Sequence, residues 1–183
     1  MQRKEGKNKV NNQATADVLI SVHLLFYYMG KGVGFMKVMV YSRKAAESLL
    51  RKGFPENTAV ISFYDPIDRR NKNDYAPVDY SEKVGRVFYV PIYDIDIEVL
   101  GDFGLTYETY FPEVNVLAKF IDKAKNNGMD IICQCEYGQS RSAGCAAAIL
   151  EHYYKNGISI FADYRYYPNQ LIFNKIYEAL NRP

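Results

Sequence analysis

The chain has 183 residues, a formal net charge of +2, three cysteines and two histidines. A chain of this length suits one domain with a full hydrophobic core, and so small a net charge argues against a surface that binds nucleic acid or an anionic membrane. The small, odd number of cysteines does not indicate a disulfide framework and fits a reducing, cytoplasmic location. Because only two histidines accompany the cysteines, we expect no bound metal, and no other cofactor is expected.

The first 35 residues differ from the rest of the chain. A polar, basic start at 1–16 precedes an apolar run at 18–29, which is shorter than the roughly 20 residues needed to span a bilayer. No small-residue cleavage site follows this run, so a secretory signal peptide is not favoured. Met36 opens a clean strand pattern. We therefore expect a folded domain at 36–183 after an extension at 1–35, which is either separate or packed on the domain as an added helix or strand.

Strand-like and helix-like segments alternate from Met36 onward. β-Branched and aromatic residues mark the strands, and Ser42 is a suitable N-cap for a helix that Gly53 ends. The polar stretch at 65–81 is predicted to be a loop. The predicted elements of this half are a strand at 37–41, a helix at 42–53, and strands at 58–64 and 87–93.

The second half continues the alternation. A helical pattern covers 107–127, and Pro112, which is tolerated only in the first turn, places the start of this helix near Phe111. The other predicted elements are an apolar strand at 130–134, an almost wholly apolar helix at 143–154, and an amphipathic helix from Pro168 to Leu180. This order predicts an α/β fold with a central, mostly parallel sheet flanked by helices.

The most informative segment lies between the strand at 130–134 and the helix at 143–154. Residues 135–141 read Cys-Glu-Tyr-Gly-Gln-Ser-Arg, and Ser142 follows. A tight loop that leads from a strand into a helix points successive backbone N–H groups into one concavity, which binds phosphate-like anions. The positive end of the helix dipole favours the thiolate of Cys135, and the planar guanidinium of Arg141 can bind two phosphate oxygens at once.

This segment resembles the signature loop of the cysteine-based protein tyrosine phosphatases, and most closely that of the dual-specificity branch. The resemblance implies that Cys135 attacks phosphorus and becomes a phosphocysteine, and that Ser142 assists the departure of the thiolate. It also implies that the loop amides and Arg141 hold the phosphate oxygens. The phosphate-binding residues implied in this way are Glu136, Tyr137, Gly138, Gln139, Ser140 and Arg141.

The same family has an aspartate on a loop after an upstream strand, where it protonates the leaving oxygen. The tetrapeptide Pro-Ile-Tyr-Asp that ends at Asp94 resembles this acid loop and favours Asp94. Asp94 precedes Cys135 by 41 residues, which is longer than the usual separation, so an insertion is expected within 95–106. Asp96 and Asp102 remain alternatives, and Asp102 fits the usual spacing better but lacks the preceding pattern.

Gln134 departs from the family, which usually has a histidine before the cysteine. The implied function is a phosphoprotein phosphatase that hydrolyses phosphotyrosine, with phosphoserine and phosphothreonine as further candidates. The departure keeps open an alternative, a catalytically weak or inactive module that binds phosphorylated residues. A third candidate, a sulfurtransferase or arsenate reductase, would use an anion-cradled cysteine. Arsenate reduction would need Cys133 or Cys145 to be exposed, whereas both are predicted to be small core residues.

The expected partner of this chain is a phosphorylated protein or peptide. The loop at 135–141 contains no lysine, whereas phosphoinositide phosphatases of this chemistry often carry lysines there, which argues against a highly anionic lipid headgroup. Arg69, Arg70 and Lys72 in the polar loop either meet an acidic phosphopeptide or form a solvated face.

Overall fold

The computed structural model describes residues 35–66, 76–81 and 83–182. The extension predicted at 1–35 lies outside these ranges, except for its last residue. The three cations of the polar loop, Arg69, Arg70 and Lys72, also lie outside them. The elements are β1 (Val38–Ser42), α1 (Arg43–Lys52), β2 (Thr58–Tyr64), β3 (Val87–Pro91), a 3₁₀ helix (Ile97–Phe103), α2 (Tyr107–Tyr110), α3 (Val114–Asn126), β4 (Asp130–Cys135), α4 (Arg141–Tyr154), α5 (Ile158–Phe161) and α6 (Gln170–Leu180).

The four strands form one parallel sheet in the order β1-β4-β2-β3. β4 lies between β1 and β2 and is buried almost along its whole length, which explains its continuous apolar run. The register pairs Ser42 of β1 with Cys135 of β4, and parallel pairing brings the carboxyl ends of all four strands to the same edge. The predicted α/β fold with a mostly parallel sheet is confirmed.

Side chains alternate along the strands and divide the core into two layers. On one face, Val60 and Ile132 pack with Ala46 of α1 and with the buried ring of Tyr80. On the other face, the strands pack against α3, α4 and α6 in a larger cluster. The first ten residues of α4 are all buried. The sheet is therefore covered on both faces, and α4 starts at its carboxyl edge.

The helix predicted at 107–127 is two helices. Phe111 has φ −133° and ψ 75° and is not helical, because the ring of Pro112 disfavours the helical conformation at the residue before it. α2 therefore ends at Tyr110, and α3 begins at Val114. The prediction of a single helix that starts near Phe111 was wrong at this point.

Other boundaries shift by a few residues. β3 ends at Pro91, two residues earlier than predicted. α6 begins at Gln170, because the side chain of Asn169 accepts the N–H of Ile172 at 2.9 Å and acts as the N-cap. α4 begins at Arg141 and not at 143. This earlier start places the predicted phosphate-binding arginine in the first turn, at the positive end of the helix dipole.

Candidate active site

The loop at 136–140 joins β4 to α4 and forms the floor of the candidate site. Within the described ranges, none of its backbone N–H groups donates a hydrogen bond to a protein acceptor. Unpaired amides at the N-terminus of a 14-residue helix form a site ready to bind an anion. The side chains of Tyr137 and Gln139 are exposed, so the loop would hold an anion mainly through its backbone.

Gly138 determines how closely this loop approaches the neighbouring strand. Its φ is +69°, and a Cβ at this position would lie 2.6 Å from the backbone nitrogen of Ser42. A residue with a side chain would therefore be strained and would collide with the β1–α1 junction. The same junction holds the loop by a hydrogen bond, which the N–H of Arg43 donates to the carbonyl of Glu136 at 3.0 Å.

Cys135 ends β4 at the base of the loop and is only 2% exposed. Its Sγ lies 3.0 Å from the Oγ of Ser142 in the first turn of α4. A hydroxyl at this distance can donate a hydrogen bond to a thiolate. The structure thus brings together the two residues that the sequence predicts as nucleophile and as its hydroxyl partner.

Arg141 is 4% exposed, and two acceptors fix its guanidinium group. Its Nη1 donates to Oδ1 of Asp65 and to the carbonyl of Ile92, both at 2.8 Å. Its Nε has no hydrogen-bond acceptor among the described residues. Because a buried, charged N–H without an acceptor is costly, this nitrogen suits a phosphate oxygen held in the loop.

Asp94 is the candidate acid that the structure brings to this site. Its Oδ1 accepts hydrogen bonds from the Oγ of Ser140 at 2.6 Å and from the Nδ2 of Asn169 at 3.0 Å. Its Oδ2 lies 3.8 Å from the Nε of Arg141. The two alternative acids, Asp96 and Asp102, are exposed and do not line the cleft above the loop.

This cleft has a volume of about 550 Å³, within the range of roughly 300–1,000 Å³ that small-molecule sites occupy. Five charged residues line it, and four of them form two ion pairs. Arg141 pairs with Asp65, and the Nε of Arg43 lies 2.6 Å from Oε2 of Glu136. Asp94 is the fifth charged residue. With two arginines and three carboxylates, these five residues carry a formal charge of −1 when all are ionised.

Gln134, at the position where the family usually has histidine, points to the α1 face of the sheet and away from Cys135. It is 1% exposed, and its Oε1 accepts hydrogen bonds from the Oγ of Ser62 at 2.6 Å and from the hydroxyl of Tyr80 at 3.4 Å. Burial, and next the nearby Tyr89, raise the pKa of Tyr80 far above its usual value, so this hydroxyl stays a donor. The amide of Gln134 therefore links β4 to β2 through Ser62. Unlike the imidazole of a histidine, this amide does not titrate.

Cys133 and Cys145 are fully buried, as the sequence predicts, with their sulfur atoms 3.6 Å apart. Burial, followed by the hydrogen bond to Cys133, raises the pKa of Cys145 well above its ordinary value. Thiols that are buried and protonated are poor nucleophiles. The exposed resolving thiol that an arsenate reductase would need is therefore absent from these two positions.

Three residues that support the site were not predicted from the sequence. Arg43 and Asp65 directly follow β1 and β2. Their positions just after predicted parallel strands were the signal in the sequence that could have identified them. For Asn169, the sequence predicts only a position at the start of the last helix. Its contact with Asp94 joins residues 75 positions apart, which no local pattern shows.

The described residues hold no helix that is both long and apolar enough to cross a membrane. They also hold no group of three or more histidine, cysteine or carboxylate side chains in an arrangement that would bind a metal ion.

Comparison with known proteins gives a match in structure and none in sequence. No protein-family model matches the chain, and no curated protein matches it. The crystal structure of human tyrosine phosphatase-like serine/threonine/tyrosine-interacting protein matches with a TM-score of 0.50 at 15% identity, and covers 77% of this chain and 89% of that chain. The crystal structure of human DUSP28 matches with a TM-score of 0.44 at 14% identity, and covers 83% and 96% respectively.

The first of these likenesses shows the fold alone, since the identity is low. The chain has a tyrosine-phosphatase-like fold, as the resemblance of residues 135–142 implies.

Proposed function

We propose that the chain is a cysteine-dependent phosphoprotein phosphatase that hydrolyses phosphotyrosine, with phosphoserine and phosphothreonine as further candidate substrates. The observation that carries this proposal is that three groups lie around the loop at 136–140, at the carboxyl edge of the parallel sheet. Cys135 lies under unpaired loop amides with Ser142 at 3.0 Å, Arg141 presents an unpaired Nε, and Asp94 lies 3.8 Å from that nitrogen. In the proposed reaction these groups serve as the nucleophile, the anion site and the acid that phosphoryl transfer through a cysteine needs.

In the first proposed step, the thiolate of Cys135 attacks phosphorus as the ester P–O bond breaks. The bonding electron pair moves to the ester oxygen, and Asp94 in its protonated form gives that oxygen a proton. The loop amides and Arg141 hold the three non-bridging oxygens of the transferred phosphoryl group, which carry charge in the transition state. The products of this step are a free alcohol or phenol and a phosphocysteine.

In the second proposed step, a water molecule attacks the phosphocysteine. Asp94, now a carboxylate, accepts a proton from this water as the P–S bond breaks. The electron pair returns to Cys135 as a thiolate, and the hydroxyl of Ser142 stabilises it by donating a hydrogen bond across the 3.0 Å contact. Inorganic phosphate leaves, and the proton on Asp94 restores the starting state.

The direct test is phosphate release from p-nitrophenyl phosphate. Cys135→Ser should abolish turnover, because a serine hydroxyl at this position is a far weaker nucleophile than a thiolate. Cys145→Ala is the matched control, since it removes a fully buried thiol whose contact is Cys133, and it should keep turnover. Undiminished turnover by Cys135→Ser would refute the proposed nucleophile.

A second candidate function is a module that binds phosphorylated residues without hydrolysing them. The hydrogen-bonded amide of Gln134 favours it, since no imidazole stands next to the cysteine. The name of one structural neighbour describes that protein as tyrosine phosphatase-like and as interacting. Tight binding of a phosphotyrosine peptide, with no phosphate release by the wild-type chain between pH 5 and 9, would select this function.

We place the proposed activity in the cytoplasm, acting on phosphorylated proteins. All three cysteines are free thiols, and a catalytic thiolate needs a reducing compartment to stay reduced. Recovery of the chain only from a non-cytoplasmic fraction of its source cells would contradict this location.

A further inference from the structure

The segment at 95–106, where the sequence predicts an insertion, is folded and lies beside the candidate acid. Leu100 anchors its 3₁₀ helix in the main core at 5% exposure. Gly104 ends this helix in the left-handed conformation, with φ +66°. At the other end, the carbonyl of Ile95 accepts a hydrogen bond from the Nδ2 of Asn169 at 3.0 Å. A segment that is held at its start by Asn169 and in its middle by the burial of Leu100 can present a side chain in a defined place.

Phe103 is the residue of the 3₁₀ helix that reaches the cleft. It lines the cleft with 48% of its surface exposed, and its ring packs against Tyr93 with the centroids 5.2 Å apart. Ile97, on the same helix, is 54% exposed but does not line the cleft. The 3₁₀ helix therefore adds one aromatic ring to the site, and Tyr93 supports it.

Two further aromatic residues belong to the lining of this cleft. Tyr64, at the end of β2, and Tyr137, in the phosphate loop, line the same cleft as Phe103 and Tyr93. Tyr137 is 79% exposed, and so its ring is available to a bound molecule. Rings from four separate segments thus surround the entrance to the anion site.

The charged groups of the cleft do not favour a second anion beside the phosphate. Arg43 is paired with Glu136 at 2.6 Å, and Arg141 is paired with Asp65 at 2.8 Å. Asp94 adds a further carboxylate. Beyond the phosphate-binding loop, the cleft therefore offers aromatic surface and no unpaired cation among the described residues that line it. This combination suits a flat, uncharged leaving group.

From this arrangement we infer that Phe103, supported by Tyr93, makes the cleft selective for aryl phosphate esters such as phosphotyrosine over alkyl esters such as phosphoserine. The inference rests on the proposed function and adds a residue that determines its substrate class. An aromatic leaving group packs against the ring of Phe103 and excludes water there, whereas the short serine side chain does not reach it. Ring contacts of this kind are worth on the order of tenfold in binding.

The experiment compares two acetylated pentapeptide amides that carry phosphotyrosine or phosphoserine between pairs of glycines. For the full chain, kcat/KM is measured on each peptide in wild type, Phe103→Ala, Phe103→Tyr and the matched control Ile97→Ala. We expect Phe103→Ala to lower kcat/KM about tenfold on the phosphotyrosine peptide, mainly through KM, and to leave the phosphoserine peptide unchanged. Phe103→Tyr keeps the ring and should retain the wild-type ratio, as should Ile97→Ala.

Equal losses on both peptides in Phe103→Ala, or an unchanged ratio, would overturn the inference. If Phe103→Ala does not fold, Phe103→Leu keeps an apolar side chain without the ring, and its ratio decides the matter. If the wild-type chain releases no phosphate from either peptide, the proposed function fails separately. Calorimetric binding of the two peptides then decides the inference: loss of phosphotyrosine preference in Phe103→Ala supports it, and a retained preference overturns it.

Discussion

At the scale of single residues, Arg141 connects the two carboxylates of the site. Asp65 fixes one end of its guanidinium group at 2.8 Å, while Asp94 lies 3.8 Å from the unpaired Nε. We infer different roles from these two distances. Asp65, which is hydrogen-bonded to Arg141, orients the guanidinium group. Asp94, which lies farther from Arg141, can approach the ester oxygen of a substrate whose phosphate is bound to the Nε.

The assignment of Asp94 predicts a loss that depends on the leaving group. Asp94→Asn should lower kcat by about 10²- to 10⁴-fold on phenyl phosphate, because phenoxide needs a proton as it leaves. The loss on p-nitrophenyl phosphate should be smaller, because p-nitrophenoxide leaves without one. Rates on both esters give this comparison.

Asp102→Asn is the matched control for this prediction, since Asp102 belongs to the adjacent 3₁₀ helix and does not line the cleft. It should leave both rates near wild type. A loss that depends on the leaving group in Asp102→Asn, and not in Asp94→Asn, would show that the acid was assigned to the wrong aspartate.

The departure at Gln134 also belongs to this scale. The sequence has glutamine where the resembled family usually has histidine, and the structure shows which residues this glutamine contacts. The amide oxygen receives hydroxyl donors from Ser62 and Tyr80, both fully buried. A buried hydroxyl needs an acceptor, so the amide oxygen of Gln134 satisfies the two buried hydroxyl groups. The proposed nucleophilic role of Cys135 therefore depends on the loop amides, the helix dipole and Ser142.

At the scale of elements, the start of α6 is joined to the acid loop. Asn169 accepts the N–H of Ile172 through Oδ1 and donates through Nδ2 to Asp94 and to the carbonyl of Ile95. It also lies against the first turn of α4, where a Cβ on Gly144 would come within 2.5 Å of the Asn169 carbonyl oxygen. One side chain therefore caps a helix and orients the candidate acid.

Asn169→Ser should separate these two tasks. Serine is a good N-cap but is too short to reach Asp94, so thermal stability should stay near wild type while kcat on phenyl phosphate falls about tenfold with little change in KM. Asn169→Ala should lose the cap as well, at about 1 kcal/mol of stability. Thermal unfolding and steady-state kinetics measure the two effects.

The control for a positioning role of Asn169 is the double variant that combines Asp94→Asn with Asn169→Ser. If Asn169 acts through Asp94, Asn169→Ser should cause little further loss once the carboxylate is absent. A further tenfold loss in the double variant would contradict the positioning role.

Elements with a strong pattern were predicted well, for a physical reason. β2, β4 and α4 have nearly uniform apolar sequences, so their bounds agree with the structure within two residues. The break at Pro112 was missed because the apolar spacing continues across it. The 3₁₀ helix was expected only as an insertion, since its anchor, Leu100, acquires meaning from packing against distant residues.

At the scale of the whole molecule, the parallel sheet assembles the site. Arg43, Asp65, Asp94 and Cys135 lie at or just after the carboxyl ends of four strands, and parallel pairing brings these ends to one edge. In open α/β sheets, ligands bind outside this edge. The anion-binding loop from Cys135 to Ser142 could be predicted from the local sequence. The contacts of Arg43 and Asp65 could not, because they depend on the strand order, which the sequence does not reveal.

The central claim is that Cys135 carries the phosphoryl group during turnover, and trapping that intermediate tests it most directly. Ser142→Ala should slow the departure of the thiolate from phosphorus and so let the phosphocysteine accumulate. The variant is mixed with p-nitrophenyl phosphate, quenched in acid within milliseconds, digested and analysed by mass spectrometry. The account predicts one added phosphoryl group on the peptide that contains Cys135, whereas continued turnover with this peptide unmodified would contradict it.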